Sequence, residues 1–302
     1  MKLSYCIVNT NGREHLPACL AAIDAGEEDE VIVLDNASDD GSAQLVGDQA
    51  RLIALRHREG KAANDSRLLS EARGEYALLL NEDAELHPGA AGALVRALDD
   101  DPRAAAVGAQ LVSSEGEPVP CAWRLPGVGP ALAVATGVQK LLVTQSGGTR
   151  RREAGWCQSS ALLVRRSAAE EVGFLDPDFF VYSDETDFCK RLRDAGWRIL
   201  FDPAAVATHH NQLTTDRAAE DRRLAEFHRN RDLYMRKHHS TGERLLTRAL
   251  WVLAYLERAV FASDRRRMLR HARHELVGGS GDGIREAAEA ARPSVPEDSS
   301  GS

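Results

Sequence analysis

The residues in this sequence that are best suited to chemistry are Asn81 and Asp83, which follow the apolar run Tyr76–Leu80. An unbroken run of this kind is typical of a strand that is buried on both faces of a sheet. Ligands of open α/β sheets bind outside the carboxyl ends of the strands, and hard divalent cations prefer oxygen ligands together with substrate phosphates. The pair is therefore a candidate site for a metal ion and a phosphate. A strand followed by an ordinary polar turn would carry the same residues, so that interpretation stays open.

Other acidic and imidazole side chains are also predicted at the ends of strands or at the start of a helix. Asp35 ends the apolar run Val31–Leu34, where it can meet a ligand or cap the turn that follows. The others are the acids that open a predicted helix and two histidines that end a late strand: Asp184, Glu185, Asp187, His209 and His210. Because neighbours in a strand point to opposite faces, only one of the two histidines is expected to reach the site.

Short apolar runs alternate with helical patterns through the first half of the chain, which predicts a parallel sheet with helices on both faces. The predicted strands are Leu3–Val8, Val31–Leu34, Leu52–Leu55, Tyr76–Leu80 and Ala104–Val107. The predicted helices are Arg13–Ile23, Ser42–Ala50, Lys61–Ala72 and Ala90–Leu98. From 113 to 155 the pattern loosens, and Ser146–Gly155 is predicted to form neither helix nor strand. A strand is expected to follow from Trp156 to Val164.

The chain is predicted to have three parts: an α/β domain over residues 1–215, a helical extension over 216–277 and a disordered tail over 278–302. The tail is rich in Gly, Ser, Glu and Pro, which disfavours a packed core. In the extension, apolar residues recur at helical spacing from Leu245 to Val260, and arginines follow from Arg265 to Arg273. Such a helix can lie on an anionic membrane, or it can pack on the core of its own domain.

Composition excludes some classes of protein. The formal net charge of -8 argues against a general nucleic-acid binder, because such proteins neutralise phosphates with basic surfaces. The five cysteines are scattered without a Cys-x-x-Cys pair, which favours a reducing, cytoplasmic compartment. No apolar run approaches the roughly 20 residues of a membrane span.

Taken in order, these segments resemble the inverting family-2 glycosyltransferases of the GT-A fold, especially the rhamnosyltransferase-like branch that builds bacterial cell-surface polysaccharides. The resemblance covers about residues 3–240 and rests on an ordered set of motifs: Ile7–Leu16, Asp35–Ser42, Gly60–Asn64, Gly74–Asp83, Leu163–Ser167, Gly173–Phe180, Asp187–Trp197 and His209–His210. It implies a Rossmann-like, mostly parallel central sheet flanked by helices, in which the domain 1–215 binds a nucleotide-sugar and carries out catalysis.

The resemblance also implies roles for single residues. The residues that it places against the nucleotide-sugar donor are Thr10, Asn11, Asp35, Asn64 and Asn81. Asp83 and His209 are expected to hold Mn²⁺ or Mg²⁺, and an imidazole ligand suits Mn²⁺ better than Mg²⁺. When bound, the cation would neutralise the diphosphate that leaves.

Two acids compete for the role of general base, which removes the proton of the acceptor hydroxyl. Relatives usually carry Glu-Asp-x-Asp at the start of this helix, whereas this chain reads Asp184-Glu185-Thr186-Asp187. Alignment through Asp187 gives the base position to Glu185, with Asp184 as its competitor.

The sequence therefore predicts a metal-dependent inverting glycosyltransferase. Its donor would be a nucleotide-diphosphate sugar, either dTDP-rhamnose-like or a UDP-sugar. Its acceptor would be a hydroxyl on a glycan, a lipid-linked saccharide or a small molecule, in polysaccharide or glycoconjugate biosynthesis. The unusual order of Asp184 and Glu185 leaves a second hypothesis open: a catalytically silent nucleotide-sugar-binding partner in a glycan-assembly complex.

Overall fold

The computed structural model of the chain describes residues 2–210, 217–261, 263–279 and 282–290. The strands are β1 (Leu3–Asn9), β2 (Glu30–Asp35), β3 (Arg51–Ala54), β4 (Tyr76–Asn81), β5 (Ala84–Leu86), β6 (Ala104–Val112), β7 (Ala122–Trp123), β8 (Arg152–Ala154), β9 (Trp156–Cys157), β10 (Ala161–Arg165) and β11 (Arg198–His209). The helices are α1 (Leu16–Ala21), α2 (Lys61–Glu71), α3 (Ala90–Asp99), α4 (Val128–Ala135), α5 (Gln139–Leu142), α6 (Arg166–Glu171), α7 (Asp184–Asp194), α8 (Arg217–His238), α9 (Thr241–Phe261), α10 (Arg265–Val277) and α11 (Ile284–Ala290).

A nine-stranded sheet forms the centre of the molecule, in the order β3-β2-β1-β4-β10-β6-β11-β5, with β8 paired to β11. Six of these strands run in one direction, while β10, β5 and β8 run against them. Helices flank the sheet and a helical region follows it, so the predicted α/β fold with a mostly parallel central sheet is confirmed. β1 lies between β2 and β4, so the strand order reverses direction at β1. Such a topological switch point creates a crevice at the carboxyl ends of the strands.

The core strands are buried over their whole length, which explains why their sequences are continuous apolar runs rather than alternating ones. Every residue of β1 and β6 is buried, and in β4 only the last residue, Asn81, is partly exposed. Helices α2 and α3 cover the sheet with apolar stripes that include Leu68, Leu69, Leu94 and Leu98. The strand that ends in the candidate site is therefore held rigidly by its neighbours.

Three local predictions in the first 210 residues are wrong. Ser42–Ala50 forms two short 3₁₀ turns instead of an α-helix, because Gly47, the first residue of the second turn, adopts a left-handed conformation with φ of +57°. Arg152–Ala154, predicted as irregular, is strand β8, because tertiary pairing with β11 outweighs local propensity. The predicted strand Trp156–Val164 is divided into β9, which pairs with β7, and β10, which joins the central sheet.

The C-terminal region contains the predicted helices. α8, α9 and α10 extend to Val277, and among the described helices none combines the length and the hydropathy needed to cross a bilayer. Within the tail that the sequence predicts to be disordered, Ile284–Ala290 form α11, where Glu286 makes an ion pair of 2.7 Å with Arg229 of α8. The predicted domain boundary at 215/216 and the tail residues 291–302 lie outside the described residues.

Candidate active site

Asp83 and His209 meet because two strands pair far from each other in sequence. β5 runs antiparallel to β11, with Ala84 opposite His209, so the residue before β5 lies beside the end of β11. The Oδ1 atom of Asp83 lies 3.2 Å from Nε2 of His209. The same nitrogen lies 3.3 Å from Nδ2 of Asn81 and 3.2 Å from Oγ of Ser160. The structure thus gathers a carboxylate, an imidazole, an amide and a hydroxyl at one point.

His210 faces the other side, as the alternation of a strand predicts. Its Nε2 atom lies 2.6 Å from the Glu85 carboxylate, and its Nδ1 atom lies 3.0 Å from Oγ of Ser114. This histidine is therefore engaged away from Asp83.

The residues around Asp83 fit a divalent cation whose coordination shell is completed by the substrate. No group of three or more His, Cys, Asp or Glu side chains in the described part of the chain is arranged to hold a metal by itself. Mg²⁺ and similar ions are commonly held by one or two protein ligands plus the phosphates of a bound substrate. Asp83 and His209 can supply such a partial set, and the buried hydroxyl of Ser159 lines the same cavity without a hydrogen-bond partner among the described residues.

Asp187, the third acid at the start of α7, is neutralised by neighbouring cations. Its carboxylate contacts Arg191 at 2.7 Å, His238 at 2.7 Å and Lys237 at 2.9 Å, and its side chain is fully buried. These contacts tie α7 to α8. Asp187 therefore joins the two helices, and of the three acids at the start of α7 only Asp184 and Glu185 line the cavity.

The two remaining acids differ in environment. Asp184 is buried and neither of its oxygens has a hydrogen-bond donor in the described residues, whereas Glu185 is only partly buried. Burial first, and then the adjacent Glu185 carboxylate, raise the pKa of Asp184 well above its ordinary value. The two residues before them, Tyr182 and Ser183, both adopt left-handed conformations, with φ of +67° and +61°. Such strain in residues other than glycine persists only where the surroundings impose it, and it clusters at functional sites.

Lys61 places a positive charge beside these acids. Its ammonium lies 2.8 Å from Asp65 and lines the cavity next to Asp184. Burial alone would lower the pKa of Lys61, but the carboxylates of Asp65, Asp184 and Glu185 outweigh it and raise the pKa. Glu82 also lines the cavity, where it accepts a hydrogen bond of 3.2 Å from the backbone N–H of Thr10. Burial, with the Asp83 carboxylate as the second cause, raises the pKa of Glu82 to about 7.

Two adjoining cavities lie at the carboxyl ends of the strands. The smaller, of about 310 Å³, contains Asp83, His209, Asp184 and Glu185. The larger, of about 610 Å³, extends from the first over β1 and α2, and the two share five residues: Thr10, Lys61, Asn81, Glu82 and Val181. Together they are large enough for a nucleotide-sized ligand.

The five predicted donor residues divide into two groups. Thr10, Asn64 and Asn81 line the larger cavity. Asn11 and Asp35 instead hold the turn after β2: Asn11 accepts a hydrogen bond of 3.0 Å from the Asp39 N–H, and Asp35 accepts one of 3.1 Å from the Ser38 N–H. Neither is among the residues that line the two cavities, so the capping interpretation left open for Asp35 accounts for its contacts in the structure.

Two asparagines that sequence reasoning did not select organise the same region. Asn9 is fully buried and donates to Asp35 at 2.7 Å and to Ser42 at 2.8 Å, and it accepts from the Gly12 N–H at 3.2 Å. Asn36 lines the larger cavity. Asn9 could have been selected from the sequence, because it is a polar residue at the end of a mostly apolar strand.

Asn64 is the clearest indication that the larger cavity is a binding site. Its side chain is buried, and neither its oxygen nor its nitrogen has a hydrogen-bond partner among the described residues. An unpaired buried amide costs about 1–3 kcal/mol, so it persists in native proteins mainly where another requirement maintains it. A ligand that fills the cavity would supply the missing partners.

Comparisons with known proteins agree with this geometry. The family model described as "Glycosyl transferase family 2" matches residues 4–173. The N-acetylglucosaminyl-diphospho-decaprenol L-rhamnosyltransferase of Mycobacterium tuberculosis is 30% identical over 254 residues, which cover 75% of this chain and 81% of that protein.

Among solved structures, GalNAc-T7 with UDP, GalNAc and Mn²⁺ has a TM-score of 0.57 at 13% identity, covering 96% of this chain and just 56% of that chain. A mannosyltransferase, PcManGT from Pyrobaculum calidifontis, in complex with GDP-Man and Mn²⁺, has a TM-score of 0.55 at 17% identity, covering 96% of this chain and 78% of that chain. These two likenesses show the GT-A fold. With the family match and the mycobacterial relative, they lead to one conclusion: the chain belongs to glycosyl transferase family 2 and is a rhamnosyltransferase-like glycosyltransferase.

Proposed function

We propose that this glycosyltransferase is metal-dependent and inverting, and that it transfers a sugar from dTDP-rhamnose or a UDP-sugar to a hydroxyl of a lipid-linked saccharide. The observation that carries the proposal is the pairing of Asp83 with His209, 3.2 Å apart, in a cavity whose other wall presents Glu185. The relative from Mycobacterium tuberculosis, named for an N-acetylglucosaminyl-diphospho-decaprenol acceptor, supports the acceptor class.

In the proposed mechanism, the chain supplies a base, a donor site and a partial metal site. Glu185 removes the proton of the acceptor hydroxyl. The hydroxyl oxygen then attacks the anomeric carbon of the donor sugar, and the bond from that carbon to the diphosphate oxygen breaks. Asp83 and His209 would hold Mn²⁺ or Mg²⁺, which supplies Lewis-acid neutralisation of the departing diphosphate. Lys61, which lines the same cavity, adds a positive charge. A single displacement of this kind inverts the anomeric configuration.

The direct test is transfer by the purified protein in the presence of Mn²⁺. The donors are dTDP-rhamnose and a panel of UDP-sugars, and the acceptor is N-acetylglucosaminyl-diphospho-polyprenol. We expect a product whose new glycosidic bond has the configuration opposite to that of the donor, as read by NMR. Retention of configuration would exclude the single displacement. Tight binding of the donor without transfer to any acceptor would instead support the catalytically silent partner.

Asn64→Leu tests the donor site through opposite effects on stability and binding. Because Asn64 is buried with both polar atoms unpaired, an apolar side chain of similar size removes a desolvation cost. We expect the free energy of unfolding to rise by about 1 kcal/mol, while the affinity for the nucleoside diphosphate falls about tenfold. Chemical denaturation and calorimetric titration measure the two quantities. Unchanged affinity would remove Asn64 from the donor site.

The same proposal includes peripheral contact with a membrane through the C-terminal helices, because a lipid-linked acceptor stays in the bilayer. One face of α9 exposes a nearly continuous apolar stripe at helical spacing: Leu245, Leu246, Ala249, Leu253, Leu256 and Val260. Phe261, at the end of this helix, is 90% exposed. The exposed arginines on α10 are Arg265, Arg266, Arg267 and Arg273.

Charge favours a bilayer over a second copy of the chain as the occupant of this surface. The whole chain carries a net charge of -8, yet the exposed apolar stripe is followed directly by arginines. An anionic lipid surface attracts such a basic flank, whereas a symmetric dimer through the same face would bring its arginines together. The surface combines the two features of an interfacial helix, an apolar face and a basic margin.

We expect the protein to bind vesicles that contain phosphatidylglycerol at low salt, and Leu253→Glu with Val260→Glu to weaken this binding at least about tenfold. These side chains are 48% and 73% exposed, so the melting temperature should not change. Leu45→Glu, at an exposed leucine of the catalytic domain, is the matched control. Cosedimentation measures the binding, and a wild-type protein that fails to bind at low salt would contradict the proposed contact.

A further inference from the structure

The C-terminal helix α11 forms one wall of the larger cavity. Ile284, Ala287 and Ala288 line this cavity together with residues of β1 and α2, such as Thr10 and Asn64. α11 lies more than a hundred residues beyond the segment 4–173 that the family model matches. With the helix in place the cavity still has a volume of about 610 Å³, so α11 encloses the space without filling it.

Specific polar contacts hold α11 over the cavity. The Arg229 guanidinium of α8 donates to the Glu286 carboxylate at 2.7 Å. Arg285 donates to the backbone oxygen of Asp178, and its guanidinium lies 5.7 Å from the centre of the Phe180 ring. Phe180 also lines the cavity, so one of the contacts that anchor α11 lies at the cavity wall.

A glycine allows the chain to approach α8 closely before α11 begins. Gly279 has φ of +72°, and a Cβ at this position would lie 2.5 Å from the carbonyl oxygen of Ala225 and would also clash with the backbone nitrogen of Arg229. Gly283, just before α11, is buried, and a Cβ there would clash with the carboxylate of Glu226. Since Glu226 is itself fully buried and accepts a hydrogen bond of 3.1 Å from Asn230, the approach is closely packed. The two glycines therefore allow the chain to lie close to α8 at positions 279 and 283.

We infer that α11 is part of the donor site and that its apolar side chains contact the nucleoside of the nucleotide-sugar. The inference rests on the proposed function, which assigns the diphosphate and the reacting carbon to the smaller cavity with Asp83 and Glu185. The nucleoside then occupies the larger cavity, between the polar ends of the strands and the apolar surface of α11. One side of the ligand meets Thr10, Asn36 and Asn64, and the other side meets Ile284 and Ala288.

The test compares two tryptophan substitutions in the full-length chain. Ala288→Trp projects a large ring from a cavity-lining position, while Glu289→Trp adds the same ring at the next, exposed position. UDP, dTDP and GDP, each with Mn²⁺, are titrated by calorimetry, and the nucleotide that binds the wild-type protein most tightly serves as the probe. We expect Ala288→Trp to weaken its binding at least about tenfold and Glu289→Trp to leave it unchanged.

Two shortened chains supply the second comparison. A chain that ends at residue 290 retains α11, and one that ends at residue 279 lacks it. We expect normal nucleotide affinity for the first and an affinity about tenfold lower for the second, since one wall of the cavity is lost. Equal nucleotide affinity in all four variants would overturn the inference. If no nucleoside diphosphate binds the wild-type protein, the proposed function itself fails, so the two failures are distinguishable.

Discussion

Asp83→Asn is expected to lower kcat/KM for glycosyl transfer by about 10³-fold or more, which corresponds to about 4 kcal/mol of transition-state stabilisation. The substitution keeps the shape of the side chain but removes the negative charge that would hold the cation. Because the carboxylate lies 3.2 Å from His209, its loss also removes the partner that orients the imidazole. Steady-state transfer assays over a range of Mn²⁺ concentrations measure the effect.

Glu85→Gln provides a matched control for this substitution. Glu85 lies in β5, two residues after Asp83, but its carboxylate contacts His210 on the other side of the strand at 2.6 Å. We expect its activity to stay within about twofold of the wild type. In a thermal-shift experiment with UDP, Mn²⁺ should raise the melting temperature of the wild type and of Glu85→Gln, but not that of Asp83→Asn. Full activity in Asp83→Asn would show that this carboxylate holds no essential metal.

The convergence of Asn81, Asp83 and His209 could be anticipated from the sequence, because the carboxyl ends of parallel strands share one edge of a sheet. The contact that joins Asp83 to His209 could not be derived in this way. It depends on the three-residue strand β5 and on its antiparallel pairing with β11. So short a strand has no periodicity of its own, and its existence follows from a partner more than a hundred residues away.

The residues predicted to bind the donor show a second limit of prediction from the sequence. Asp35 has the residue type and position of a ligand-binding carboxylate, but its two oxygens accept hydrogen bonds from Asn9 and from the Ser38 backbone. Its neighbour Asn36 lines the cavity instead. Sequence alone does not show which of two adjacent polar residues holds the turn after β2 and which lines the cavity. α11 was missed for a related reason: the helix has only seven residues, and it is held in place by Arg229 of α8 and by the close packing of Gly279.

Glu185→Gln is expected to reduce kcat by about 10²–10⁴-fold with little change in donor affinity, because a general base acts on the acceptor and contributes mainly to the transition state. Asp184→Asn should keep kcat within about tenfold of the wild type. The reason is the environment of Asp184: burial first, and then the adjacent Glu185 carboxylate, raise its pKa well above the ordinary value, which disfavours the ionised form that a base needs. Glu185, by contrast, reaches the cavity from a partly exposed position.

The stability of the two variants gives a readout that is independent of turnover. A carboxyl whose pKa is raised in the folded state binds its proton more tightly there than in the unfolded chain, so it destabilises the protein as pH rises above its unfolded pKa. Burial is the larger cause of this shift in Asp184, and the Glu185 carboxylate is the next. Asp184→Asn should therefore melt at a higher temperature than the wild type at pH 8, and this difference should shrink as the pH falls towards 4. If Asp184→Asn abolishes transfer while Glu185→Gln retains it, the base is Asp184.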